Sequence, residues 1–203
     1  MNLFARCAAD LRAKQALYEQ YGERVSLLRA ACADGTLANL LYRLQEFLAE
    51  WHLAPLALVP HWLNKVINGC VIGVHARFGP GLVLIHPIGV VINSSVRGGC
   101  NVRLESGVVA GDNRGASPVL EDDVFVGSGA KIIGGVRIGA GARIGANAVV
   151  LDDVPAGALA VGIPARTIAP RTPGVENSGE TSSPGRGESG ETSSPGHAES
   201  GGV

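Results

Sequence analysis

Rings are scarce in this 203-residue chain, with phenylalanine, tyrosine and tryptophan together making up 4% of it. An interior of ordinary size leans on several large aromatic side chains, so this one must be filled by aliphatic residues stacked on one another. Charge of one sign is also missing. A formal balance of −1 gives no footprint for nucleic acid or for an anionic membrane surface. The four cysteines, Cys7, Cys32, Cys70 and Cys100, form no C-x-x-C pair and follow no secretory signal. The expectation is reduced thiols in a cytoplasmic protein. Long apolar runs are lacking as well. The most apolar stretch outside the repeats described next, Leu53 to Leu63, is broken by Pro55 and Pro60 and is too short to span a bilayer.

What the chain does have is a six-residue beat from Ile72 to about Leu151. It is clearest in Val126-Gly127-Ser128-Gly129-Ala130-Lys131, Ile138-Gly139-Ala140-Gly141-Ala142-Arg143 and Ile144-Gly145-Ala146-Asn147-Ala148-Val149. Each unit opens on an aliphatic residue and carries a small or branched one at its fifth position. Three short strands and three turns close one triangular coil, so a residue recurring every six places lands at the same point on each face in turn, stacked about 4.8 Å above its predecessor on that face. The spacing predicts a hexapeptide-repeat β-helix. Its interior column should hold Ile72, Phe78, Ile92, Gly98, Leu104, Ala110, Leu120, Val126, Ile132, Ile138, Ile144 and Val150, ten of the twelve large and apolar. Gly79, Gly81, Asn93, Asn101, Gly139, Gly141 and Asn147 fall near corners, where a sharp turn often demands positive φ.

Two departures from the beat mark where chemistry would sit, because a regular prism offers no cavity of its own. Phe78 to Ile92 is fourteen residues, two beyond a multiple of six, which predicts a bulge around Ile85-His86-Pro87-Ile88-Gly89. Ala110 to Leu120 is ten residues, so the loop over 111–119 must project.

Three regions follow: an N-terminal helical domain over 1–69, a β-helix domain over 70–168 and a low-complexity tail over 169–203. Thr36 is read as an N-cap, with Leu37, Leu40, Leu41, Leu44, Leu48 and Trp51 at helical spacing until Pro55 stops the run, and Pro60 as the start of a second short helix. Such helices would blunt the open end of the first coil, with or without a role in assembly. In the tail the octapeptide Ser-Gly-Glu-Thr-Ser-Ser-Pro-Gly occurs at 178–185 and again at 189–196. It has no large apolar side chain to bury, and disorder is expected.

Phe78-Gly79-Pro80-Gly81, Ile85-His86-Pro87, Gly89-Val90-Val91-Ile92, Gly127-Ser128-Gly129-Ala130-Lys131 and Val161-Gly162-Ile163-Pro164-Ala165-Arg166 together resemble the serine acetyltransferase branch of the left-handed β-helix acyltransferases. An Asp10-Leu11-Arg12-Ala13 stretch is similar to one in that branch's N-terminal helices, so the likeness runs over about 10–168. The resemblance implies a left-handed parallel β-helix, a homotrimer or a dimer of such trimers with active sites between subunits, acetyl-CoA as donor and no metal. It also implies that His86 is the catalytic histidine. An imidazole ordinarily titrates near pH 6.5, so its neutral form can take a hydroxyl's proton, with a backbone N–H of a neighbouring coil holding the oxyanion. By the same resemblance Gly111, Ser128, Arg143 and Ala146 would meet acetyl-CoA.

The match thins around the acceptor. The family's second active-site histidine falls at Ser117 and its acceptor arginine at Ala116, while the acids expected near His86 fall at Val71 and Ile85. Arg114, Asp112 and Ser117 are the remaining acceptor-binding candidates. A free amino acid needs a cation and an anion in its pocket and a sugar hydroxyl needs neither, so L-serine and a sugar acceptor, as in the polysaccharide or capsule O-acetyltransferases, both stay open. A zinc enzyme with three histidine ligands would have to draw on His75 and His86, and a non-catalytic β-helix assembly module is the remaining reading. Docking of a partner enzyme through the terminal Val203 is conceivable in this branch.

Overall fold

The computed structural model describes residues 1–168. The tail, with its octapeptide repeat and Val203, lies outside the described residues. Four helices come first: α1 (Leu3–Gln20), α2 (Leu27–Ala31), α3 (Thr36–Glu50) and α4 (Ala54–Asn68). Fifteen strands of two or three residues follow and sort into three sheets.

The first sheet stacks β1 (Val71–Ile72), β4 (Val91–Ile92), β7 (Val109–Gly111), β10 (Lys131–Ile133) and β13 (Val149–Val150). The second stacks β2 (Arg77–Phe78), β5 (Arg97–Gly98), β8 (Val119–Leu120) and β11 (Arg137–Ile138). The third stacks β3 (Val83–Leu84), β6 (Arg103–Leu104), β9 (Phe125–Val126), β12 (Arg143–Ile144) and β14 (Leu159–Val161), closed by β15 (Arg166–Ile168) running antiparallel to β14. Every other pairing is parallel and joins each strand to the one three places on, except that β12 pairs with β14, because the second face of the last coil carries only a single bridge, Ile138 to Val154. One coil therefore contributes one strand to each face of a left-handed parallel β-helix.

Register follows the beat and its two breaks. Val91 pairs with Val109, eighteen residues on and three hexads. Val71 pairs with Val91 at twenty residues, the two extra lying in the His86 bulge, and Val109 pairs with Lys131 at twenty-two, the four extra lying in the projecting loop. Inside, the expected column is buried except Gly98, which is half-buried, and it gains Leu84, stacked under Leu104, and at the far end Val154 and Ala160, stacked on Ile138 and Ile144. A side chain at Gly98 would sit 2.1 Å from Phe78 Cδ1, so one ring fills two levels of the column. The fifth positions Ala130, Ala142 and Ala148 are fully buried too, forming a second column beside the first.

The corner residues divide by cause. Gly81, Asn101, Gly141 and Asn147 do take positive φ, whereas Gly79, Asn93 and Gly139 do not. Gly139 is needed for room instead: a Cβ there would lie 2.4 Å from Ala156 N on the next coil.

The helices cap the first coil, by a face other than the leucine stripe suggests. Leu37, Leu40, Leu44 and Trp51 are exposed, and α3 buries Ala38, Asn39, Tyr42, Arg43, Gln45 and Glu46. The reason lies in the coil below, whose backbone groups have no preceding coil to pair with. Asn39 Nδ2 donates to Leu82 O and Gln45 Nε2 to Ile72 O, while Tyr42 Oη accepts from Phe78 N. Arg43 donates to Phe78 O at 2.9 Å and Gly79 O at 2.7 Å, and forks onto Asp10 at 2.8 and 3.0 Å and Glu46 at 2.7 Å. Asp10 in turn accepts from Gly81 N and Leu82 N. Burial opposes the Arg43 charge, but the Asp10 and Glu46 carboxylates outweigh it and hold the guanidinium protonated.

Two boundary expectations need correcting. Thr36 is the first helical residue and not the cap; Gly35 caps at φ 78°, and Thr36 Oγ1 donates to Ala30 O instead. Pro60 lies inside α4, and it is Pro55 that starts this helix, in the first turn where a missing N–H costs nothing.

Lys14 of α1 is nearly enclosed beside a cavity of about 170 Å³, and its ammonium donates to Asp34 O. Burial lowers its pKa to about 8 from 10.5. Between those values the unfolded chain holds a proton that the folded one has released, so this group makes stability rise with pH across the window. At full weight the effect is about 3 kcal/mol, and solvent screening leaves ~1–2 kcal/mol. Urea melts of the wild type and Lys14→Met from pH 8 to 10 should differ by that slope; parallel curves would contradict it.

Candidate active site

His86 sits on the bulged corner between β3 and β4. Ile85 N still bonds Leu104 O, and the chain re-enters register where Gly89 N bonds Gly69 O and Val90 N bonds Pro87 O. Pro87 is buried and anchors the kink, and the His86 side chain is left 58% exposed. Its Nδ1 lies 3.5 Å from Asp34 Oδ2, on the turn between α2 and α3. Motif comparison could not find Asp34, because the acids it seeks fall at Val71 and Ile85 while this one comes from the helical cap.

The same edge of the prism continues upward. Gly107 N bonds Ile88 O, Gly129 N bonds Ser106 O and Asn147 N bonds Ser128 O, so four successive corners stack in line. On the face beside this edge a shallow pocket of about 260 Å³ gathers Ser128, Arg143 and Ala146 with Glu105, Phe125 and Leu159. Three of the four expected donor-site positions therefore meet. The Arg143 guanidinium stacks 4.6 Å above the Phe125 ring, which holds its charge at the pocket rim. Glu105 was not singled out in the sequence, since a charge at a coil corner looks like any solvated residue.

Gly111 and the acceptor candidates lie elsewhere. Gly111 ends β7, and the chain then turns back on itself: Asn113 and Ala116 exchange N–H···O bonds of 2.9 and 3.1 Å, with Arg114 at φ 53° and Gly115 at φ 84°. That is a two-residue hairpin turn of the primed type. It leaves Asp112 and Arg114 exposed, and encloses the Ser117 hydroxyl without a hydrogen-bond partner among the described residues. This loop leaves the corner between the first and second sheets, whereas His86 occupies the corner between the third and first. Within one chain the two are divided by the width of the first sheet.

Other chemistries find little support. Burial pushes the Cys70 thiol up to about 12, which suits packing and not nucleophilic attack. His75 is exposed, and among the described residues no three His, Cys, Asp or Glu side chains converge on a metal position.

Residues 117–152 match the family model described as bacterial transferase hexapeptide (six repeats). A serine acetyltransferase of Synechococcus elongatus is 34% identical over 171 residues, covering 82% of this chain and 69% of the relative. Among solved structures, a serine acetyltransferase in complex with CoA superposes with a TM-score of 0.75 at 29% identity. Soybean serine acetyltransferase complexed with serine gives 0.73 at 35%, and each of the two superpositions covers 82% of this chain and 69% of the other. Fold and site thus define a hexapeptide-repeat acyltransferase. Within that class the chain belongs to the serine acetyltransferase family.

Proposed function

We propose that this enzyme moves the acetyl group of acetyl-CoA to the hydroxyl of a small acceptor, with His86 as general base. The observation that carries the reading is one prism edge bearing both an exposed histidine and, two to three coils higher, the pocket of Ser128, Arg143 and Ala146. At about 4.8 Å per coil that separation is ~10–14 Å, a span suited to an extended pantetheine arm. The relative solved with CoA supports the donor. In the reaction His86 Nε2 takes the acceptor's hydroxyl proton as its oxygen attacks the thioester carbonyl carbon. The C–S bond then breaks, and the departing sulfur receives the proton from Nε2 as the CoA thiol.

L-serine is the acceptor favoured by the relatives, one of which is solved with serine bound. The specific observation favouring a sugar hydroxyl is the apolar pair Val71 and Ile85 where acids were expected. A trimer reconciles the split site, because a neighbour's 111–117 hairpin would bring Arg114, Asp112 and Ser117 towards His86. The outward leucines of α3 and α4, including Leu37, Leu40, Leu56 and Leu58, form an apolar surface of the kind that subunit contacts cover.

A thiol-release assay with acetyl-CoA should show turnover with L-serine well above that with hexoses and N-acetylhexosamines. The reverse order would move the acceptor to sugars. A β-helix without catalytic function would gain no thermal stability from CoA, whereas a donor site gains about 2.7 kcal/mol at a hundredfold excess over its dissociation constant.

A further inference from the structure

We propose that Asp34 is the positioning carboxylate of His86, delivered from the helical cap to replace the acids absent at Val71 and Ile85. The inference rests on the reading of His86 as the base. Asp34 Oδ2 faces His86 Nδ1 at 3.5 Å, a separation typical of unliganded sites that tighten on substrate binding. A carboxylate on Nδ1 keeps the ring proton there and leaves Nε2 bare, which is the nitrogen that must accept a proton from the acceptor.

The backbone that carries Asp34 is locked against the strand that carries His86. Gly35 packs so closely that a Cβ would lie 1.9 Å from Leu84 O and 3.4 Å from Ile85 O. Asn39, one turn into α3, bonds both Leu82 O and Leu84 N. Lys14 holds Asp34 O from the other side. Two free side chains on a rigid backbone frame are thus set opposite each other. The Asp34 side chain is 80% exposed and makes no other ion pair or hydrogen bond among the described residues, so packing gives it no competing role. This arrangement also makes the cap part of the catalytic apparatus, since the fork of Arg43 that seats α3 on the first coil also fixes the turn at Asp34.

The test compares the full-length wild type, Asp34→Ala, Asp34→Glu and His86→Ala with ¹⁵N-labelled histidine at about pH 8.5, where imidazoles are neutral. His86→Ala assigns the ring signals. In the wild type the proton should reside on Nδ1; in Asp34→Ala it should redistribute to Nε2, and Asp34→Glu should restore part of the original pattern. This readout needs no acceptor. With L-serine and acetyl-CoA, Asp34→Ala should lower kcat about tenfold to a hundredfold and leave both KM values within about twofold, with melting temperature unchanged. An unaltered tautomer in Asp34→Ala overturns the proposal. So does a raised KM for L-serine at constant kcat, which would make Asp34 a clamp for the acceptor's ammonium. If His86→Ala keeps full turnover the underlying reading fails, whereas an inert His86→Ala beside an unimpaired Asp34→Ala sinks the positioning role alone.

Discussion

Replacing His86 by alanine is expected to lower kcat for acetyl transfer by about 10²-fold or more and to leave the donor's KM unchanged. The imidazole is more than half exposed, so stability should stay within about 0.5 kcal/mol of the wild type. Donor affinity should hold because the pocket of Ser128, Arg143 and Ala146 lies further along the prism. The loss belongs to the transition state, where an acceptor hydroxyl must shed its proton as it attacks; without a base on the edge, solvent has to take it. Some rate over water should survive from holding donor and acceptor together. Single-turnover kinetics with purified variant would check the split, and an unchanged kcat would remove His86 from the chemistry.

Arg43→Ala should be the most damaging change away from that edge. The guanidinium is fully buried and satisfies two carboxylates and two carbonyls at once. Removing it leaves the buried Asp10 charge without a cation and Phe78 O and Gly79 O without their donor, while Glu46 keeps Arg6 at 3.0 Å and the Tyr42 hydroxyl, a cost of about 3–5 kcal/mol. Lysine at this position keeps the charge and loses the planar fork, so Arg43→Lys should fall between the two. The damage should also be uneven, because the prism is tied by its own ladder of parallel pairs while the cap depends on side chains. Thermal melts followed at 222 nm should show helix lost below the main transition, and limited proteolysis should cut within 1–68 before it cuts within 70–168. A single unshifted transition in Arg43→Ala would show that the network contributes little.

The prism was readable because its contacts repeat. Where the beat is unbroken a residue stacks on its neighbour eighteen places on, so hexad phase placed the column, and counting located both insertions. Leu84 escaped because the fourteen-residue gap from Phe78 to Ile92 was counted as one interval, though a strand and a column position lie within it. The cap was harder. Leu37, Leu40, Leu44 and Trp51 have the period of a core-facing stripe, yet the buried side of α3 is polar because it must satisfy the unpaired N–H and C=O groups of the first coil. Periodicity reports that a face is apolar and is silent on what meets it. The site divides the same way: the resemblance picked out Ser128, Arg143 and Ala146 and regular coils bring them together, but Asp34 reaches His86 across fifty-two positions of sequence through a turn of no regular period.

By itself the sequence determined the β-helix, the phase of its column and the two corners where the chain departs from it, since each depends on spacing along one strand of stacked units. Tertiary structure alone decided which helix face seals the first coil, that Asp34 confronts His86, and that the 111–117 hairpin leaves from a different corner of the same chain. Those outcomes depend on unpaired backbone groups and carboxylates finding partners across distant segments, and that complementarity exists only once the coil and its cap are docked.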